Sequence, residues 1–269
     1  MKWTTEAEDA IKKVPFFVRN KVRARVEQEA LQNGHEMITL AEVKVTQKRY
    51  LTGMQSEIKG YQLDACFGPS GCPNAITPSR DLVAQIEILL QQSDLIGFLQ
   101  SKGIRELKFH HEFRVTVADC PNACSQPQIK DIGIISARRP GISGISCTAC
   151  EACVESCREA AITLDNTPPA PVIDEKLCVV CGHCIPVCPS GSLTALAEGY
   201  RIQLGGKLGR HPQLARELPG IYDPSTILEI IDASLDIYKT RSQKGERFGE
   251  ILRPDDFQYL NERFAPEAL

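Results

Sequence analysis

Twelve cysteines in 269 residues constrain what this chain can fold into more than any other feature of it. Eight stand in two runs, Cys147-Thr-Ala-Cys150-Glu-Ala-Cys153-Val-Glu-Ser-Cys157 and Cys178-Val-Val-Cys181-Gly-His-Cys184-Ile-Pro-Val-Cys188-Pro189. The C-x2-C-x2-C-x3-C spacing lets a short loop wrap three thiolates around one face of an iron–sulfur cubane. The chain then continues as a helix and delivers its fourth thiolate to a second cubane. On that rule Cys147, Cys150, Cys153 and Cys188 hold one [4Fe–4S] cluster, and Cys178, Cys181, Cys184 and Cys157 hold another. A zinc site pairs two C-x2-C knuckles and has no use for a further cysteine three residues on.

The other four cysteines are Cys66 and Cys72, in Cys-Phe-Gly-Pro-Ser-Gly-Cys, and Cys120 and Cys124, in Cys-Pro-Asn-Ala-Cys. A helix is expected between the pairs from about Ser79 to Leu99. Leu107, Phe109, Phe113, Val115 and Val117 then alternate, which predicts a buried strand running into the loop of Cys120 and Cys124. Gly68, Gly71 and Pro73 allow the tight turns that aim amide N–H groups at cluster sulfides. All twelve cysteines thus fall into metal-site spacings, which predicts a reducing, cytoplasmic and anaerobic setting. A net charge of −3 argues against general nucleic-acid binding. The apolar runs Ile86 to Leu90 and Leu95 to Leu99 are shorter than a membrane span, and no signal-peptide core is read at the N-terminus.

Residues 1–52 read as a small helical module. Thr5 and Glu8 have capping-box spacing ahead of Ala7, Ile11 and Val14, and Pro15 interrupts or restarts the helix. A second helix spans Arg19 to Ala30, and Thr39 with Glu42 opens a third that ends near Leu51-Thr52-Gly53. Lys12, Lys13, Arg19, Lys21, Arg23 and Arg25 give the module a solvated basic face. Trp3, Asp9, Val14-Pro15-Phe16-Phe17-Val18-Arg19, Lys21-Val22-Arg23, Glu27 and Ile38-Thr39 resemble the C-terminal helical module of the light-independent protochlorophyllide reductase B subunit. That resemblance implies an accessory module found beside tetrapyrrole-reducing machinery. The two four-cysteine runs, for their part, resemble the two-cluster bacterial ferredoxin.

C-x5-C followed at a distance by C-x3-C resembles the cluster-binding half of the sirohaem sulfite and nitrite reductases. Asp119-Cys120-Pro121-Asn122-Ala123-Cys124, Pro127, Asp131-Ile132-Gly133 and the later Gly205-Gly206-Lys207-x-Gly209-Arg210-x-Pro212-x-Leu214-Ala215 sharpen the match. It covers roughly 55–140 and 196–250, with the ferredoxin-like part inserted as in dissimilatory-type sulfite reductase subunits. The resemblance implies that Cys124 bridges a third [4Fe–4S] cluster and a sirohaem iron, the catalytic position. It also implies six-electron reduction of sulfite to sulfide, or of nitrite to ammonia. Sirohaem carries many carboxylates, so the cations beside the matched motifs are candidates to hold it: Lys130, Arg138, Arg139, Arg201, Lys207 and Arg210. His110 and His111 read as strand-end turn residues, and His183 as an exposed loop residue between two cysteines. Complete members of that family carry an earlier half with further anion-binding cations, where the helical module stands here. Either a second copy or another subunit completes the sirohaem pocket, or the sirohaem site is vestigial; a working site implies a low-potential electron donor protein and a small inorganic anion as substrate.

The expected fold is α+β: a helical module over 1–52, a sulfite-reductase-like half over 53–140 and 196–269, and a two-cluster ferredoxin inserted over 141–195. Arg138-Arg139-Pro140-Gly141 reads as a linker into the insertion, and Thr167-Pro168-Pro169-Ala170-Pro171 as a linker between its cluster loops. Beyond it come a strand from Tyr200 to Leu204, a helix from Ser225 to Thr240 with Leu228, Ile231, Leu235 and Tyr238 on its apolar face, and a helix from Asp255 to Phe264. The leading function is an iron–sulfur oxidoreductase of the sirohaem sulfite reductase type. The alternative is an electron-transfer subunit carrying three clusters and no sirohaem.

Overall fold

A computed structural model describes residues 1–14, 16–56, 58–104 and 106–265, and it divides into two compact units, 1–58 and 59–269. The first unit holds β1 (Lys2–Trp3) paired in parallel with β2 (Met37–Ile38), and α1 (Thr5–Lys12), α2 (Phe16–Gln32) and α3 (Leu40–Ser56). Ala7 and Ile11 of α1 close over Val26, Ala30, Ile38 and Val43. The cap of α1 is Thr4 rather than Thr5, its hydroxyl accepting from the Ala7 amide at 3.4 Å. Glu42 does take the Thr39 amide, at 2.8 Å, and α3 runs on to Ser56. Pro15, expected to interrupt the first helix, lies outside the described residues. The expected basic face is largely occupied: Arg23 stacks 4.5 Å over the Trp3 ring, Arg19 donates to the Lys12 and Val14 carbonyls, and Lys12 meets Asp9.

In the second unit five strands form one sheet in the order β3 (Tyr61–Ala65), β4 (Phe113–Ala118), β5 (Ile132–Ile142), β8 (Leu193–Leu204), β9 (Arg216–Tyr222). The first three run parallel and the last three antiparallel. α4 (Arg80–Gln92), α5 (Leu95–Ser101), α7 (Pro224–Arg241), α8 (Phe248–Ile251) and α9 (Pro254–Arg263) contribute to the core over it. There Ile86, Leu90, Ile132, Ile134, Ile202, Leu204, Ile227 and Ile231 are almost wholly buried. Each such side chain contributes about 1.5–3 kcal/mol. Between β5 and β8 come α6 (Ala152–Ser156) and a separate antiparallel ribbon of β6 (Ile162–Asn166) and β7 (Pro169–Ile173).

Several sequence expectations are corrected by this architecture. The stretch Arg80–Ser101 is long and apolar enough to cross a membrane by length and composition. It is two helices, however, broken where Asp94 turns left-handed (φ 44°) and caps the Gly97 amide, and its Leu82, Ile86, Leu90, Leu95 and Leu99 are buried. The strand before Cys120 starts at Phe113, because Phe109 to His111 form a 3-10 turn. Arg138 to Gly141 is no linker but the end of β5, paired with β8 out to Ile142↔Leu193. Pro140 fits there because β4 pairs β5 only from Ile132 to Ile135, and a bulge at Arg139/Pro140 absorbs the irregularity. Pro169 and Pro171 likewise sit in a two-stranded ribbon, where each strand is an edge and a missing N–H costs little.

Asp223 fixes the start of α7 by accepting from the Thr226 amide at 2.9 Å. The Ser225 hydroxyl, the Thr226 amide and the Thr226 hydroxyl hold its pKa down to about 2. Asp223→Ala is expected to cost about 1 kcal/mol in urea unfolding at pH 7. Because the folded pKa lies below the unfolded one, that stabilisation is present above about pH 4 and is lost as pH falls towards 2. The two unfolding curves should therefore converge in acid, and a constant gap would disprove the capping role.

Candidate iron–sulfur centre

The parallel pairing of β3 with β4, Ala65↔Val117, brings the loop that starts at Cys66 alongside the one that starts at Asp119. Cys66 Sγ accepts from the Gly68 amide at 3.3 Å and the Asp119 amide at 3.2 Å, the N–H···S pattern that steadies a cluster thiolate. Asp119 is fully buried beneath the loop, and a Cβ on Gly68 would lie 2.2 Å from its carboxylate oxygen. Only glycine lets the two loops approach so closely. Cys120 is buried and Cys124 exposed. Burial raises the Cys120 pKa, and Cys66, Cys72 and Cys124 raise it further, so these four thiols stand within electrostatic reach of one another.

The electrostatic neighbours of the remaining cysteines cross between the two runs. Cys153 is pushed up by burial and then by Cys188 and Cys147. Cys184 is pushed up to about 12 by burial and then by Cys181, Cys178 and Cys157. Cys188 also loses solvent, but the hydroxyls of Ser192 and Ser190, at 3.2 and 3.5 Å from its sulfur, and nearby amides outweigh that and bring it to about 6. Cys150 is exposed on the loop of Cys147 and Cys153. The two loops also share a backbone shape. Ala149 and Val180, each two residues past the first cysteine of its run, have φ of 55° and 53°. Glu151 and Gly182, each just past the second cysteine, have φ of 59° and 68°. Left-handed residues cost about 1–2 kcal/mol each when they are not glycine. In the first loop the Ala149 amide donates to Cys147 Sγ at 3.4 Å, and turns of this kind recur in anion-binding concavities and iron–sulfur sites.

Among the described residues no three His, Cys, Asp or Glu side chains converge tightly enough to hold a single metal ion. The cysteines fit iron–sulfur clusters on their soft donors and on the amides that reach Cys66 and Cys147.

A cavity of about 110 Å³ lies between two of the sets, walled by Cys120, Pro121 and Asn122 on one side and Cys157, Cys181 and His183 on the other. His183, expected as an exposed loop residue, is thus part of this wall. His110 and His111 lie in the 3-10 turn before β4 with ring centroids 4.1 Å apart, and burial, then His110 and Lys108, lower the pKa of His111.

Five of the six cations expected around sirohaem fall into two groups. Arg138, Arg139 and Arg201 border the second cysteine run. The Arg138 amide donates to Val180 O at 2.8 Å, Arg201 donates to Val179 O at 3.3 Å, and Arg139 and Arg201 line a cavity of about 650 Å³ with Cys178. Lys130 and Lys207 lie by the chain that leaves Cys124. Gly206 packs so tightly on the Gln128 and Lys130 carbonyls that a Cβ would fall 2.5 and 2.7 Å from them. Four of the six are engaged: Lys130 with Asp64 at 2.8 Å, Arg138 with Glu198 at 2.6 Å, Arg201 with Glu217 at 2.8 Å and Lys207 with Glu250 at 2.7 Å. Among the described residues Arg139 and Arg210, both exposed, show no such partner. Sequence reasoning missed these carboxylates, and also Ser190 and Ser192. The serines were readable as sulfur hydrogen-bond donors two and four residues past Cys188.

The chain is similar to known proteins of two kinds. Residues 3–45 match the model of the proto-chlorophyllide reductase 57 kD subunit. A coenzyme F420-dependent sulfite reductase of Methanocaldococcus jannaschii is 27% identical over 205 residues, 76% of this chain and 30% of that protein. The dissimilatory-type sulfite reductase subunit beta of Archaeoglobus fulgidus is 28% identical over 152 residues, 51% of this chain and 41% of its own. The crystal structure of dissimilatory sulfite reductase I aligns with a TM-score of 0.49 at 20% identity, covering 77% of this chain and 52% of that one. The chain therefore spans about a third to a half of the relatives it matches. Residues 61–255 match the nitrite and sulphite reductase 4Fe-4S domain, and the chain belongs to that family of iron–sulfur oxidoreductases.

Proposed function

We propose that the chain carries three [4Fe–4S] clusters in series and serves six-electron reduction of sulfite, or of nitrite, at a sirohaem bound through Cys124. The observation that carries the order is the 110 Å³ cavity shared by Cys120 and by Cys157 and Cys181. Electrons enter at the set of Cys147, Cys150, Cys153 and Cys188, pass to that of Cys157, Cys178, Cys181 and Cys184, and reach that of Cys66, Cys72, Cys120 and Cys124. Sirohaem, when bound, supplies an iron whose open face takes the anion. The chain's own share is to present the exposed Cys124 thiolate to that iron and to hold Cys66 by the Gly68 and Asp119 amides. In this reading Lys130, Lys207 and Arg210 meet cofactor carboxylates or substrate, Lys130 and Lys207 by exchanging their present carboxylate partners. Arg138, forked to Glu198, stands against Gly182 of the neighbouring cluster loop. A second copy or another subunit supplies the remaining cations, and a low-potential protein supplies the electrons.

One observation favours a second reading, an electron-transfer subunit with the same clusters and no sirohaem: most of the candidate cations are already neutralised by carboxylates. The visible spectrum of anaerobically purified protein, with acid-acetone extraction and an iron count, separates the two. Extractable tetrapyrrole and a haem band that shifts with sulfite or cyanide is the expected result. About twelve irons with a broad cluster shoulder and no tetrapyrrole would overturn it in favour of the conduit.

A further inference from the structure

The cavity of about 650 Å³ beside Cys178 is within the range of small-molecule sites, and its walls come from four strands of the fold. β7 contributes Pro171, Val172 and Ile173, β5 and β8 contribute Pro140, Ile142 and Leu196, and β9 contributes Pro219, Gly220 and Ile221. Val172, Ile142 and Leu196 stay half exposed, so the apolar lining is presented to solvent rather than spent on the core. Arg201 and Glu217 in the wall neutralise each other. Arg139 is left as a cation with no carboxylate partner among the described residues, and Glu175 as an exposed anion. Cys124 is absent from the lining, so the cavity cannot offer a tetrapyrrole the axial thiolate of the proposed haem site.

We propose that this cavity binds a planar aromatic redox carrier bearing one anionic group, of the flavin mononucleotide or sulfonated quinone class. The ring lies on the proline and isoleucine walls and the anion lies against Arg139. The assignment rests on the cluster reading above. A ligand here touches Cys178, a ligand of the middle cluster, so it adds a second point of electron entry beside the set of Cys147, Cys150, Cys153 and Cys188. The doubly reduced carrier loses two electrons in single steps and releases its protons to solvent, while two oxidised cubanes of the inserted segment each gain one electron.

The test is calorimetric titration of the anaerobic, cluster-loaded full chain with oxidised flavin mononucleotide and, separately, with anthraquinone-2-sulfonate. Binding of either probe is expected. Arg139→Ala should weaken it at least tenfold, Val172→Trp should abolish it by filling the mouth from an exposed position, and Glu175→Gln should tighten it several-fold by removing a repelling charge. The probe that binds tells the flavin class from the quinone class. Equal affinity in all three variants, or no binding of either probe, overturns the assignment. Iron content and electron paramagnetic resonance of the reduced samples report the clusters separately. Full cluster signals without probe binding reject the cavity and spare the clusters. Probe binding without cluster signals rejects the cluster reading and with it the electron-entry step.

Discussion

Replacing Cys157 and Cys147 together is expected to remove about eight of about twelve irons, whereas replacing Cys157 and Cys178 together should remove only about four. The two double variants differ because the fourth thiolate of each run serves the other run's cluster. Cys157 stands in sequence with Cys147, Cys150 and Cys153, yet it is one of the thiols that raise the pKa of Cys184, together with Cys181 and Cys178. Cys188, conversely, bears on Cys153 together with Cys147. Burial is the larger cause in both cases, so it is the identity of the neighbours that supplies the partition. Each single cysteine-to-alanine variant should lose about four irons and so cannot discriminate. If Cys157 belonged to its own run, the losses of the two double variants would be exchanged. The set of Cys66, Cys72, Cys120 and Cys124 provides the internal control, because its signal should survive in both.

How much could be read beforehand depended on the range over which each feature is decided. The cysteine runs were legible because three ligands of one cubane come from a few consecutive residues, and the spacing of those residues is the geometry. The left-handed turns at Ala149 and Val180 repeat because that local requirement repeats. Arg138-Arg139-Pro140-Gly141 was misread because proline and glycine look like punctuation, whereas the stretch is held extended by Thr194 to Glu198, more than fifty residues on. The same limit applies to charges. Lys207 meets Glu250 across 43 residues and Arg138 meets Glu198 across 60, and no periodicity announces such pairs. The basic positions could be named from the motifs, but whether they were free to bind an anion could not. Helix faces fell between these cases. Ile231, Leu235 and Tyr238 were readable as buried on α7, but the break at Asp94 was not, since a left-handed aspartate inside an apolar stretch carries no periodic signature.

Asp131 illustrates the difference between a motif and its job, and Arg247→Ala is the substitution with the largest expected effect on stability. Asp131 stands in the Asp-Ile-Gly stretch that helped reveal the family, yet it is 1% exposed and faces protein. Its carboxylate accepts from Arg247 through two bonds, of 2.5 and 3.2 Å, and from the Arg114 amide at 2.8 Å. The pairing ties the start of β5 to the residue that precedes α8, 116 positions away. Burial pushes the Asp131 pKa up, and Arg247 and the Arg114 amide oppose that. Removing Arg247 strands a buried carboxylate, at a cost of about 3–5 kcal/mol. The remaining acid should then titrate higher still. A folded-state pKa raised above the unfolded one adds stability at pH below the unfolded value, and that stability is lost as pH rises through the folded pKa. The deficit of Arg247→Ala measured by urea unfolding should therefore be larger at pH 8 than at pH 5. Combining Arg247→Met with Asp131→Asn should recover most of it, because the pair is then replaced rather than broken and the Arg114 amide keeps an acceptor. A deficit independent of pH, or a double variant as weak as Arg247→Ala alone, would show that lost packing of the arginine stem, and not the stranded charge, sets the stability of this joint.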